Sequence, residues 1–211
     1  ARKSRGLGDV YKRQGKNDLK ISKFALGTWP FAGGELWGHQ DDNDSIGAVM
    51  ECYENGINFF DTAPGYGDGR SEEVLGKAIK NIRNSVIIGT KIPPADLGKK
   101  NLSISVEKSL KRLGTDYIDL MQIHWPNHDI PIDETTNELE NLIKLGKIKE
   151  IGVSNFGLKD MTEILDELDI VTNQLPYNAF WRAIEHDIKP FCIEKDIGTV
   201  SYTHLRAHET Y

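Results

Sequence analysis

No run in this sequence approaches the roughly 20 apolar residues that carry a helix across a bilayer. Nothing near its start has the short apolar segment of a secretion signal. Neither a membrane partner nor export is therefore expected. A basic surplus is missing too: 32 Asp and Glu stand against 26 Lys and Arg, a net charge of −6, which argues against a nucleic-acid partner. Cysteine is scarce. Cys52 and Cys192 lie in helix-like segments without a pairing or metal-type spacing, the pattern of reduced thiols in a cytoplasmic protein. The dinucleotide fingerprint G-x-G-x-x-G is also absent. The first strand-to-helix junction reads LGTWPFAGGELWG, whose Gly33-Gly34 pair has the wrong spacing.

What is present is a chain of 211 residues, 38% hydrophobic and 27% charged, suited to one globular domain. Its ends differ from its middle. Residues 1–14 hold five basic side chains against one acid, and residues 201–211 are neutral; neither shows apolar periodicity. Both resemble foreign adapter-like stretches, with disordered tails as the alternative, and the reading sets them apart from a body at 15–200.

Across that body, strand runs alternate with amphipathic helices. Strands are expected at 23–27, 58–61, 85–91, 117–124, 148–154, 170–174 and 197–202. Helices are expected at 44–55, 71–81, 102–113, 134–145, 157–167 and 184–195. Such alternation means parallel pairing through crossover helices. Seven units at a spacing of roughly thirty residues fit an α/β fold of the TIM-type (β/α)8 barrel, truncated to about seven strands. An open gap between the first and seventh strands, and a chain inactive by itself, are expected from that count.

Barrel active sites form where the strands end. The second expected strand ends in Asp61, with Tyr66 on the following loop; the third ends in Lys91, the fourth in His124, the fifth in Ser154-Asn155 and the sixth in Asn173-Gln174. One polar closure would mean little, but five converging on one rim describe a site. A tyrosine titrates near 10 unperturbed, and a nearby ammonium favours its phenolate. Lys91, kept charged by Asp61, is expected to lower the Tyr66 value and make the phenol a general acid, with His124 as a second donor orienting an oxygen. That pair suits a carbonyl becoming an alcohol. The hydride this requires comes from no side chain, so a cofactor is implied.

The stretches FFDTAPGYG, GTK and QIHWP, carrying Asp61, Tyr66, Lys91 and His124, resemble the catalytic tetrad of the aldo-keto reductases. The resemblance runs from about Gly15 to about Val200. It implies reduction of aldehydes or ketones, with Tyr66 as proton donor, Lys91 and Asp61 as its tuning pair and His124 orienting the carbonyl. It implies NADPH as hydride donor, with NADH as the alternative, since the segment that grips the adenosine 2′-phosphate in the family has no counterpart here. By the same resemblance Gly27, Thr28 and Trp29 flank the nicotinamide and substrate pocket, Ser154, Asn155 and Gln174 hold the carboxamide, and Tyr202 stacks on the ring. The potassium-channel β subunits resemble the chain at the same motifs, so a nucleotide-binding regulatory subunit is the competing function.

Simpler readings apply elsewhere. His124 and His128 form H-x-x-x-H, but Pro126 denies them a helix, and no metal is expected. Trp37 and Trp125 read as packing, DDND at 41–44 as a helix cap, and Glu72-Glu73 as helix-start charges.

Overall fold

The computed structural model describes residues 11–13 and 19–203. A short hairpin leads: β1 (Tyr11–Arg13) pairs antiparallel with β2 (Lys20–Ser22). Residues 11–13 were expected to lie in a tail without regular structure. Three residues closing a hairpin need backbone pairing but no hydrophobic alternation, so the pattern leaves no trace of them. The remainder of the expected N-terminal tail, and residues 204–211, lie outside the described residues.

The chain then continues through β3 (Ala25–Gly27), α1 (Gly34–Trp37), α2 (Asp42–Glu54), β4 (Phe59–Asp61) and α3 (Arg70–Ile79). It runs on through β5 (Ile87–Ile92), α4 (Lys99–Leu113), β6 (Ile118–Ile123), α5 (Ile132–Lys144) and β7 (Ile148–Ser154). It finishes with α6 (Leu158–Leu165), β8 (Thr172–Pro176), α7 (Ile188–Glu194) and β9 (Gly198–Tyr202). The strands β3 to β9 form one sheet in sequence order, every neighbouring pair parallel. Among the described residues β3 and β9 share no hydrogen bonds, so the sheet is an open, curled barrel of seven strands.

Alternation along the strands sorts side chains into two layers. Phe60, Ile88, Met121 and Ile151 face outward and join Leu75, Val106, Leu139 and Ile164 of the helices in the main core. Phe59 and Leu120 face inward, where Ile21 of the hairpin and Val171, just ahead of β8, pack with them. That apolar plug fills the barrel beneath the next inward position of each strand. Glycine is required among these inward positions. At Gly152 a Cβ would collide with Thr172 Oγ1, and at Gly89 it would lie 2.9 Å from the Phe59 ring.

Three local features bear on the site. Asp41 caps α2 as expected, accepting from the Asn43 amide at 2.7 Å. Glu72 and Glu73 lie in the first turn of α3 as expected, but Glu72 is fully buried there, taking a hydroxyl from Thr90 at 2.6 Å and Arg112 Nε at 2.6 Å. The reason is geometric: it lies one turn from Leu75 on the face of α3 that meets β5 and α4, so only Glu73 looks outward. The single helix expected at 184–195 is two pieces, a 3-10 turn at Ala183–Glu185 and α7. Pro190 has no amide hydrogen and fits only a first turn, so α7 starts at Ile188, where the Asp187 carboxylate accepts the Ile188 amide.

Candidate active site

The strand ends place the expected residues on one rim. Asp61 closes β4 and turns its carboxylate inward. Its Oδ2 accepts Lys91 Nζ of β5 at 2.7 Å, and Lys91 also donates to Thr62 O at 2.9 Å and to the Tyr66 hydroxyl at 3.2 Å. Only 1% of Lys91 is exposed. A desolvated ammonium survives there because three oxygens surround it.

Tyr66 is carried by a tight turn in which its amide donates to Ala63 O at 3.0 Å. The next residue, Gly67, has φ +66°, and a Cβ on it would sit 2.9 Å from that of Ala32, so glycine alone keeps the phenol where it is. Behind the turn, Ser71 joins Thr28 (2.7 Å) and Thr62 (3.1 Å) through hydroxyls, and Thr28 Oγ1 donates to Asp61 O at 3.0 Å. Thr28 is therefore fully buried, its hydroxyl committed to tying β3 to β4 rather than facing a ligand.

Electrostatics separate the groups. For Lys91, burial opposes the charge, but Asp61 and the Tyr66 phenol more than offset it and hold the ammonium above its ordinary value. For Tyr66, burial raises the phenol, Lys91 pulls it back and Asp61 adds to the rise; the net shift is upward. The expectation that Lys91 lowers Tyr66 below the ordinary value is thus corrected: the ammonium acts in that direction, and desolvation outweighs it. His124, after the end of β6, is pushed down to about 4 by burial and then by Lys91, with Asp61 opposing, so it is a neutral imidazole at neutral pH. Its ring centroid lies 6.1 Å from that of Tyr66 at 82°.

The opposite wall comes from β7, β8 and β9. Asn155 has φ +62°, a conformation asparagine tolerates better than most residues. Its Nδ2 donates to His124 O (3.1 Å) and Ser154 Oγ (3.0 Å), and its Oδ1 accepts the Tyr202 hydroxyl at 2.8 Å. Ser154 Oγ donates to Gln174 O at 3.0 Å. Burial, followed by the Tyr66 charge, pushes the Tyr202 phenol up to about 12. Gln174 turns inward, its Nε2 donating to Asp61 Oδ1 at 3.1 Å.

These walls enclose a cavity of about 590 Å³ lined by Gly27, Trp29, Asp61, Tyr66, His124, Ser154, Asn155, Gln174 and Tyr202. Thr28 and Lys91 stand behind that lining. Trp29 stacks on Tyr66 (5.6 Å, 21°) and meets Trp37 edge-on (5.5 Å, 75°). Trp37 at the end of α1 and Trp125 after β6, expected to be packing, both line the cavity. His128 pairs instead with Asp160 at 2.8 Å. One buried neighbour went unread: Gln122 of β6, whose Nε2 donates to Asp61 Oδ1 at 3.3 Å. Its signal is its place two residues before His124, on the same face of the strand.

Known proteins resemble the chain in sequence and fold. The model of the "Aldo/keto reductase family" matches residues 23–207. An aldo-keto reductase of Bacillus subtilis, YhdN, is 41% identical, the match covering 89% of this chain and 59% of that protein. An NADH-specific methylglyoxal reductase of Escherichia coli is 35% identical (90% and 66% covered), and a probable voltage-gated potassium channel subunit beta of Arabidopsis thaliana 33% (92% and 63%). The chain thus spans about three fifths to two thirds of the length of these relatives. Among solved structures, the thermostable aldo-keto reductase Tm1743, bound to the inhibitor epalrestat, superposes with a TM-score of 0.88 at 36% identity over 96% of this chain and 75% of that one. An aldo-keto reductase of Klebsiella pneumoniae in complex with NADPH gives 0.84 at 33% identity over 91% and 66%. With its parallel barrel strands in sequence order and a family match across nearly all of the described body, the chain belongs to the aldo-keto reductase family.

Proposed function

We propose that the protein reduces aldehydes or ketones to alcohols, with NADPH as the nicotinamide cofactor and Tyr66 as general acid. The observation that carries this reading is the Asp61–Lys91–Tyr66 chain, 2.7 Å and 3.2 Å long, opening beside His124 into a cavity with aromatic walls. Tyr66 holds its proton at neutral pH as an ordinary phenol does, and burial raises its pKa further. When a carbonyl oxygen takes that proton, the phenolate left behind faces the Lys91 ammonium, which stabilises it. His124, neutral because its pKa lies at about 4, offers an imidazole N–H to the same oxygen without competing as an acid. The tryptophans exclude water and favour apolar carbonyl substrates.

The residues fit a nicotinamide. Ser154, Asn155 and Gln174 present hydroxyl and amide groups, both donors and acceptors, along one wall of the cavity, as a carboxamide requires, and Gly27 and Tyr202 complete the lining. When bound, the reduced nicotinamide supplies the hydride. Gln174 would hold its carboxamide by giving up Asp61.

The test is NADPH oxidation against a panel of aldehydes and ketones, beside a fluorescence titration of NADPH. Turnover with aromatic aldehydes supports the reading. Tight binding of NADPH with no turnover on any carbonyl would favour the regulatory-subunit function, the reading that the Arabidopsis relative's name suggests.

A further inference from the structure

Three amine or amide groups converge on Asp61: Lys91 on Oδ2, and Gln174 and Gln122 together on Oδ1. The two amides are not equivalent. Gln174 lines the cavity and is open to a ligand's competition; Gln122 does not line it and is 0% exposed. We propose that Gln122 is a positioning residue of this site, the inner amide that keeps Asp61 Oδ1 engaged, and so Oδ2 on Lys91, when Gln174 is drawn away by a bound cofactor. This deepens the carbonyl-reductase reading and rests on it.

The surroundings of Gln122 support the role. Its register neighbours are Lys91 on one side and Gly152 on the other. A Cβ at Gly152 would press on Gln122 Cγ at 3.3 Å, so the missing side chain there gives the amide its space. Gln122 also carries an expense that packing alone does not explain. Its Oε1 is buried with no hydrogen-bond partner among the described residues, and an unsatisfied buried acceptor is destabilising. A leucine of similar volume would fill the same space without that penalty. Flipping the amide does not relieve it, since Oε1 would then face Asp61 Oδ1. The amide therefore has a use, and its one bonded partner among the described residues is Asp61. The ionisable groups around this point are Asp61 of β4, Tyr66 after it, Lys91 of β5 and His124 after β6. Freed from Gln122, with Gln174 drawn away, the Asp61 carboxylate could turn in its pocket, and Lys91 would lose the Oδ2 that aims it at the phenol.

The experiment compares Gln122→Leu and Gln122→Glu with wild type. In Gln122→Leu, kcat for an aldehyde the wild type accepts is expected to fall about tenfold, the size of one weak charge-assisted hydrogen bond, while the NADPH dissociation constant stays within about twofold. In Gln122→Glu, the introduced acid can donate to Asp61 only while protonated. Turnover should approach wild type at low pH and drop as that acid ionises, a limb the wild type lacks; a purely structural role would not produce it. Unchanged kcat in the leucine variant, equal losses of kcat and NADPH affinity, or no new limb in the glutamate variant would overturn the proposal. Should Gln122→Leu fail to fold, the glutamate profile decides alone. If the wild type reduces no carbonyl, the functional reading fails separately. A urea-unfolding cycle of Gln122→Glu with Asp61→Asn then decides the positioning role: coupling of about fivefold or more in the unfolding constant supports it, and additivity overturns it.

Discussion

Replacing Lys91 with methionine removes a charge from a place where almost none of it reaches water. The ammonium is 1% exposed and bonded to Asp61, Thr62 O and the Tyr66 hydroxyl. Two consequences are separable. First, Asp61 is left with the amides of Gln122 and Gln174 alone, and breaking a buried pair by deleting one partner costs about 3–5 kcal/mol. Domains hold a net stability of only about 5–15 kcal/mol, so the urea midpoint should fall far but the fold should survive in cool, low-denaturant buffer. Second, Tyr66 loses the group that pulls its pKa down while the burial that raises it remains. Two unit charges about 4 Å apart interact by about 4 kcal/mol at an effective dielectric of 20, equivalent to about three pKa units. Asp61 shares the ammonium, so the expected rise is about one unit or more. The assay is the pH profile of kcat for an aromatic aldehyde, with circular dichroism at each pH to confirm the fold. An alkaline limb unmoved in a folded Lys91→Met protein, or a variant as stable as wild type, would refute the reasoning.

Two further outcomes follow from the same geometry. His124 titrates near 6.5 when unfolded but at about 4 when folded, so between those values the unfolded chain binds more protons and stability must climb as pH rises through the window. His124→Phe should flatten the urea midpoint across that range by up to about 3 kcal/mol relative to wild type, and parallel curves would show that the imidazole is not buried as described. Glu72→Ala, which strands Arg112 and Thr90, should lower stability by about 3–5 kcal/mol in urea unfolding, whereas Glu73→Ala on the outer face should change it by less than about 0.5 kcal/mol.

The barrel was legible because buried parallel strands read as short apolar runs, and their polar last residues announce the rim. Asp61, Lys91 and His124 needed nothing more than that. The misreadings share a cause: each depends on a partner that local pattern does not carry. Glu72 and Glu73 look alike at a helix start until β5 and α4 are placed against one of them. Gln122 sits within an apolar run, and only the inward direction it shares with His124 separates it from filler. Nothing in the pattern around Thr28 announces that its hydroxyl bonds Ser71 and Asp61 O. The sign of the Tyr66 shift required knowing how completely the phenol is buried. The break before α7 was open to reading through Pro190, which fits only a first turn.

The central claim is that Tyr66 delivers the proton, and the direct measurement is Tyr66→Phe. The substitution removes one oxygen and leaves the ring stacked on Trp29, so the cavity walls and the Ser154–Asn155–Gln174 face should be undisturbed. Turnover with an aromatic aldehyde in the full-length protein, measured beside NADPH affinity from fluorescence titration, is expected to fall by about 100- to 10,000-fold while NADPH affinity stays within about twofold. Near-normal turnover in a variant that binds NADPH as wild type does would contradict the account.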